Sequence, residues 1–185
     1  MGAKDRLSNM IPIDKISNAM INISHDHHKI HEGDKYYARV QLTIPTLTTQ
    51  RITFITPTDV YIHYQRSGVQ TSSDKVSINF YEGGVVNVAG TLVNSHNRDL
   101  NSPLKSGVII RTGDTYASVG TKLDAFCSYI PGSTGVGQAK AVGASATGEE
   151  IILKRDTVYV YEIVNGSSDS NIVDINFSWY TDEDY

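Results

Sequence analysis

Alternation of apolar and polar positions begins at Tyr36 and dominates the chain from there on. In "YYARVQLTI" (36–44), Tyr36, Ala38, Val40, Leu42 and Ile44 share one face while Tyr37, Arg39, Gln41 and Thr43 share the other, the period-two pattern of a half-buried strand. "KVSINFY" repeats it with Val76, Ile78 and Phe80 inward. "VDINFSWY" does so with Val173, Ile175, Phe177 and Trp179 inward, against Asp174, Asn176, Ser178 and Tyr180. Further β-branched or aromatic runs are "RITFIT" from Arg51, "DVYIHYQ" from Asp59, "VVNVAGTLV" from Val85, "GVIIR" from Gly107, "KLDAFCSYI" from Lys122, "EIILK" from Glu150 and "TVYVYEIV" from Thr157.

Turn-forming clusters separate these runs: "SGVQTSSD", "EGG", "NSHNRDLNSP", "RTGDT", "KRDT" and "NGSSDS". About nine or ten short strands at this spacing, with no long helical pattern between them, predict an all-β, antiparallel, jelly-roll-like β-sandwich. Two segments depart from the pattern. "PGSTGVGQAKAVGASATGE" (131–149) is too small-sided to pack a core and reads as a surface excursion. Residues 1–24 hold Leu7, Met10, Ile11, Ile13, Ile16, Met20, Ile21 and Ile23 at mixed spacing, interrupted by Pro12. They read as an N-terminal arm, either a short amphipathic helix or an extended arm that packs on a neighbouring subunit, the latter better accounting for so much apolar area ahead of the first strand. Residues 25–185 then form the β-sandwich domain.

The 185 residues suffice for one domain that buries roughly 70% of its unfolded surface without a staple. A single cysteine, Cys127, excludes an internal disulfide framework and fits synthesis in a reducing cytoplasm. A net charge of −4 argues against nucleic acid or an anionic membrane as partner. No stretch has the ~20 apolar residues of a membrane span, and "MGAKDRLSNM" lacks a secretory core. The Gly2 acylation pattern fails because position 6 is Arg.

Chemistry-bearing residues concentrate just before the first strand, in "ISHDHHKIHEGDKYY", which holds His25, His27, His28 and His31. His25, His27 and Glu32 satisfy the H-x-H-x4-E half of a cupin metal motif. Arg39 stands where that motif wants glycine and the second, P-x-G-x2-H block is missing, so no metal is assigned. His27 and His31 would share a face of a helix, His25 and His27 a face of a strand. The plainer reading makes these imidazoles contact residues at the junction between arm and domain, with Gly33 and Asp34 turning the chain into its first strand.

Elsewhere, no G-x-S-x-G elbow, P-loop or C-x-x-C appears, and Cys127 sits in a strand pattern; no cofactor is implied. Asp114, on a glycine-flanked turn, reads as an Asx-turn residue. "NSHNRDLN" gathers Asn94, His96, Asn97, Arg98 and Asp99 in one polar loop, either a solvated connection or a surface-binding loop for glycans. Eleven tyrosines against four phenylalanines suit subunit or saccharide contacts, with Tyr61, Tyr81, Tyr161 and Tyr180 placed outward by alternation. "TDEDY" reads as a solvated end.

"HHKIHEGDKYY", "FYEGG" from Phe80, "NRDLNS" from Asn97, "EEIILKRDTVYVYEIVN" from Glu149 and "DINFSWYTDED" from Asp174, taken as an ordered set across residues 25–185, resemble a family of tailed-bacteriophage virion structural proteins. That resemblance implies a non-enzymatic head decoration or auxiliary capsid protein, a homotrimer bound to the major capsid protein on the capsid surface of the virion. On that reading the shell or subunit contact falls on His25, His27, His28 and His31 with Ile11, Ile13, Ile16 and Met20 of the arm. The alternative is a carbohydrate- or receptor-binding module of a fibre or tail.

Overall fold

The computed structural model describes residues 25–65, 69–71, 75–129 and 150–182. The chain opens with helix α1 (His25–Glu32) and continues with strands β1 (Lys35–Ile44), β2 (Thr49–Ile55), β3 (Tyr61–Gln65), β4 (Val69–Thr71) and β5 (Lys75–Glu82). A run of short strands follows: β6 (Val85–Val88), β7 (Thr91–Val93), β8 (His96–Asn97), β9 (Ile109–Thr112) and β10 (Thr115–Ser118). There follow β11 (Thr121–Tyr129), the short β12 (Glu150–Leu153), β13 (Val158–Asn165) and β14 (Asn171–Asp182). The protein is all-β in character, and every strand pairing is antiparallel.

The main strands pair as nested hairpins. β1 lies against β14, β2 against β13, β3 against β12 and β5 against β11, so the first pairs with the last and each successor with the next one in. This ladder is distributed over two six-stranded sheets, ordered β12-β3-β14-β1-β8 (with β4 also on β14) and β11-β5-β13-β2-β9-β7. The β1–β14 register runs from Lys35↔Tyr180 to Ile44↔Asn171 without a bulge, which puts both strands' apolar sets on one face.

The two inner faces meet in a core rich in aromatic rings. Phe54 of β2 stands edge-on to Trp179 of β14 at 5.5 Å between centroids, and Tyr161 of β13 meets Phe177 edge-on at 5.1 Å. Trp179, Phe54 and Phe177 are fully buried. Edge-to-face pairs of this kind add about 0.5–1.5 kcal/mol each beyond the area they bury. All the inward residues expected on β1, β5 and β14 are buried, except Leu42, which is half-buried.

One expected orientation is reversed. Tyr161 points into the core with Phe80 and Phe177; the opposite face of β13 carries Val158, Val160 and Val164, so both faces are largely apolar in sequence and alternation does not tell them apart. Its neighbour Val160 faces the other way and is equally buried, packed beneath Gly84, where a Cβ would stand 2.8 Å from Val160 Cγ2.

The segment between β5 and β11 closes one side of the molecule. It contributes β8 to the β1 edge and β9, with β7 outside it, to the β2 edge, while β6 pairs with β10. Its anchor is Asp114, whose carboxylate is fully buried. Asp114 accepts from the Gly90 amide at 2.5 Å, from Thr53 Oγ1 at 2.5 Å and from Arg111 Nε at 3.2 Å. Thr53 has one proton and gives it to the carboxylate, so Tyr116 OH donates to Thr53 Oγ1 at 2.6 Å. Asp114 is thus a buried hub rather than a solvated Asx-turn. Gly90 is required here because a Cβ would run into the backbone of Thr112 and Gly113.

Candidate functional site

The histidine block folds as helix α1, which its polar sequence did not announce: none of its residues is buried. The helix ends at Gly33, which sits at φ +80°. Gly33 N–H donates to Ile30 O and Asp34 N–H to Lys29 O, both at 3.0 Å, the paired bonds of a Schellman cap. The turn at Gly33 that feeds Tyr36 into β1 is therefore as expected, with a helix in front of it.

Helix α1 lies over the outer face of the β3–β14–β1 sheet and is held there by polar contacts. Asp26 accepts from Lys35 Nζ at 3.2 Å and from Gln65 Nε2 at 2.6 Å, and Lys35 also donates to Gln65 Oε1. His25 meets the Tyr180 ring edge-on at 5.1 Å, and His63 stacks on the same ring at 4.4 Å. Glu150 Oε1 accepts from Tyr180 OH and pairs with His63 Nδ1, both at 2.8 Å.

Ionisation in this cluster follows from its burial and its partners. Partial burial works against ionised Glu150, but the hydrogen bonds from His63 and Tyr180 outweigh it and hold the carboxyl below its ordinary range. Asp26 behaves likewise through Gln65 and Lys35. Burial lowers the Lys35 ammonium, which is only partly compensated by Asp26. Burial, then the neighbouring Glu150, drives the Tyr180 phenol well above its usual range. Tyr180 does point outward as alternation requires, yet it is 4% exposed because α1 and His63 cover it.

The four histidines diverge. His25 faces Tyr180, His28 Nε2 pairs with Glu32 Oε1 at 3.0 Å, and His27 and His31 face each other with their Nε2 atoms 2.8 Å apart. On a helix, His25 and His27 lie on different faces, so the cupin-like spacing does not converge. Among the described residues, no group of three or more His, Cys, Asp or Glu could hold a metal. Ile11, Ile13, Ile16 and Met20, like the whole of 1–24 and the 131–149 excursion, lie outside the described residues.

The polar loop is a built edge. Within it β8 pairs with β1, Asn97 Nδ2 donates to Gly33 O, and Asn97 Oδ1 accepts from Asp99 N–H at 2.9 Å. Asp99 Oδ1 takes Asn101 N–H at 3.0 Å. Two of the five residues are thus engaged within the loop itself. His96 and Arg98 flank the Tyr37 ring, at 5.5 and 5.4 Å from its centroid. Asn94 is exposed and lines a cleft of about 350 Å³ whose apolar wall includes Leu92, Leu104 and Ile109.

A second cleft of about 460 Å³ adjoins it, sharing Tyr36 and the 104–107 stretch. It gathers Glu32, Asp34, Asp59 and Asp182 against Lys29 and Lys105. Lys29 is already paired with Glu32 at 3.1 Å. Tyr61 and Tyr81 are half-buried on outer faces, Tyr61 under the Arg155 guanidinium at 4.5 Å and Tyr81 donating to Glu162 at 3.2 Å. Of the expected solvated end, Thr181 is 9% exposed and Asp182 pairs with Tyr61, both inside β14.

Sequence reasoning missed Lys35, Gln65, His63 and Glu150, which carry no motif and are united only by sheet order. Comparison of the chain with protein-family models, curated proteins and solved structures finds no match in any of the three.

Proposed function

We propose that this protein is an auxiliary protein of a tailed-bacteriophage head: a jelly-roll β-sandwich that sits on the outer capsid surface as a homotrimer, binds the major capsid protein and stabilises the shell without catalysing a reaction. The observation that carries the jelly-roll reading is the nested pairing. First with last, second with second-last and so on inward, folded over between two facing sheets, supports a two-Greek-key path, an architecture used in viral capsid proteins and lectins. Architecture alone assigns no function, so the further weight rests on the ordered motif set across residues 25–185 and on the arm.

The physical logic is avidity. On this reading Leu7, Met10, Ile11, Ile13, Ile16, Met20, Ile21 and Ile23 contact a neighbouring copy or the shell, and a symmetric oligomer repeats each modest contact. The test is co-sedimentation with heads from phage that lack this protein. The full chain travels with the heads at fixed stoichiometry, while deletion of residues 1–24 abolishes binding and preserves the cooperative unfolding of the body. Sedimentation velocity of the free chain then gives about 61 kDa, three times 20.3 kDa. Retained binding by the truncated chain refutes the role of the arm.

One observation favours the glycan-binding alternative: exposed Asn94 lines the 350 Å³ cleft beside the His96 and Arg98 loop. Glycan-array binding that is lost in Asn94→Ala, together with failure to sediment with heads, would replace the first reading with this one.

A further inference from the structure

Helix α1 presents two imidazoles whose geometry has a chemical use of its own. His27 and His31 stand one turn apart, both exposed, with Nε2 atoms 2.8 Å apart and ring centroids 4.7 Å apart. Their backbone spacing is fixed from both ends, by the Gly33 cap and by Asp26 bound to Lys35 and Gln65. The other histidines of the helix are turned elsewhere, His25 to Tyr180 and His28 to Glu32.

We propose that His27 and His31 form a two-imidazole chelate for a late first-row divalent metal ion of the copper(II) or nickel(II) class. With metal–nitrogen bonds of about 2.0–2.1 Å, donors 2.8 Å apart subtend an angle of about 85° at the ion. That angle fits two adjacent positions of a square or octahedral ion, whereas a tetrahedral ion needs donors about 3.3 Å apart. In the apo pair one Nε2 carries the proton and the other accepts it. Binding needs the donor ring to carry its proton on Nδ1 instead and the two rings to turn so that their Nε2 lone pairs converge on the ion; no proton is lost. The remaining coordination positions would be filled by water or by a donor from another molecule.

This chelate does not depend on the capsid reading. It is tested by calorimetric titration of the full chain with copper(II) or nickel(II) chloride at neutral pH. One ion per chain is expected. Linked donors gain about 10²–10⁴ in affinity over a single one, so His27→Ala and His31→Ala each lose about a hundredfold or more. His25→Ala and His28→Ala stay within about twofold of the parent. A rise in melting temperature on adding the ion to the parent, absent in His31→Ala, reports the same site independently of the heat signal. The proposal is overturned if the parent shows no saturable binding, if His27→Ala and His31→Ala bind as tightly as the parent, or if His28→Ala loses as much as they do.

Discussion

Replacing Asp114 by alanine should be among the most destabilising single changes in the protein. Its carboxylate is fully buried and accepts from Gly90 N–H, Thr53 Oγ1 and Arg111 Nε. Removing it leaves a guanidinium that is only 18% exposed without its anion, and two further donors without their acceptor. Breaking one side of such a pair costs about 3–5 kcal/mol, most of it the stranded charge. Asparagine keeps the shape and one acceptor oxygen for Gly90 while losing the ionic part, so Asp114→Asn should cost less, about 1.5–3 kcal/mol. The assay is urea unfolding followed by fluorescence of Trp179, the single tryptophan, which sits fully buried against Phe54. With a slope of about 2.5 kcal/mol per molar urea, the alanine midpoint falls by about 1.2–2 M at unchanged slope. A shift under about 0.3 M would show that the β9–β10 turn is not pinned through this carboxylate.

Four further outcomes are expected. Gly90→Ala forces a Cβ into the Thr112–Gly113 backbone and should lower the thermal midpoint, whereas Gly83→Ala has open space around its Cβ and strains only its φ of +78°; equal effects would contradict the close approach. Glu150, Asp26 and Glu162 have carboxyl groups held below their unfolded range, so their contribution is present above about pH 4.3 and is lost as pH falls through the lower folded values. Glu150→Gln and Asp26→Asn should flatten that acid limb in a pH series of urea midpoints. Burial pushes the Tyr159 phenol up to about 12 and Tyr180 is raised as well, so stability falls between pH ~10 and 12, seen as tyrosinate absorbance that lags behind that of the unfolded chain. Arg39→Ala breaks a bidentate pair with Asp174 and leaves that carboxylate, only 11% exposed, without its cation, so the midpoint should fall in the same urea assay; an unchanged midpoint would show that water replaces the guanidinium.

Three of the long strands were legible because their inward positions are apolar and most of their outward positions polar. β1, β5 and β14 could be read off as "YYARVQLTI", "KVSINFY" and "VDINFSWY". The short strands were not. β4 and β8 lie in turn clusters and β10 runs from the end of "RTGDT" into the unassigned stretch after it, and they are strands only because β14, β1 and β6 offer them a partner. Tertiary pairing outweighs local propensity in such pieces. "VVNVAGTLV" was one run by pattern and two strands in fact, broken where Gly90 passes against the Asp114 turn.

Helix α1 was hidden for a different reason. "HDHHKIHE" has no apolar stripe, so period 3.6 leaves no trace, and the helix is fixed by its glycine cap and by one aspartate reaching Lys35 and Gln65. Tyr161 reads as outward in the sequence because the outer face of β13 carries Val158, Val160 and Val164 and looks no less apolar than the inner one. The outer-face cluster of Lys35, His63, Glu150 and Tyr180 draws on β1, β3, β12 and β14, elements that only the nested strand order brings side by side.

An electron cryo-microscopy reconstruction of the phage particle tests the central claim most directly. The account predicts density on the outer face of the head into which this two-sheet body fits in groups of three, repeated with the lattice. Finding the same body only at a tail fibre, or nowhere on the particle, would contradict it.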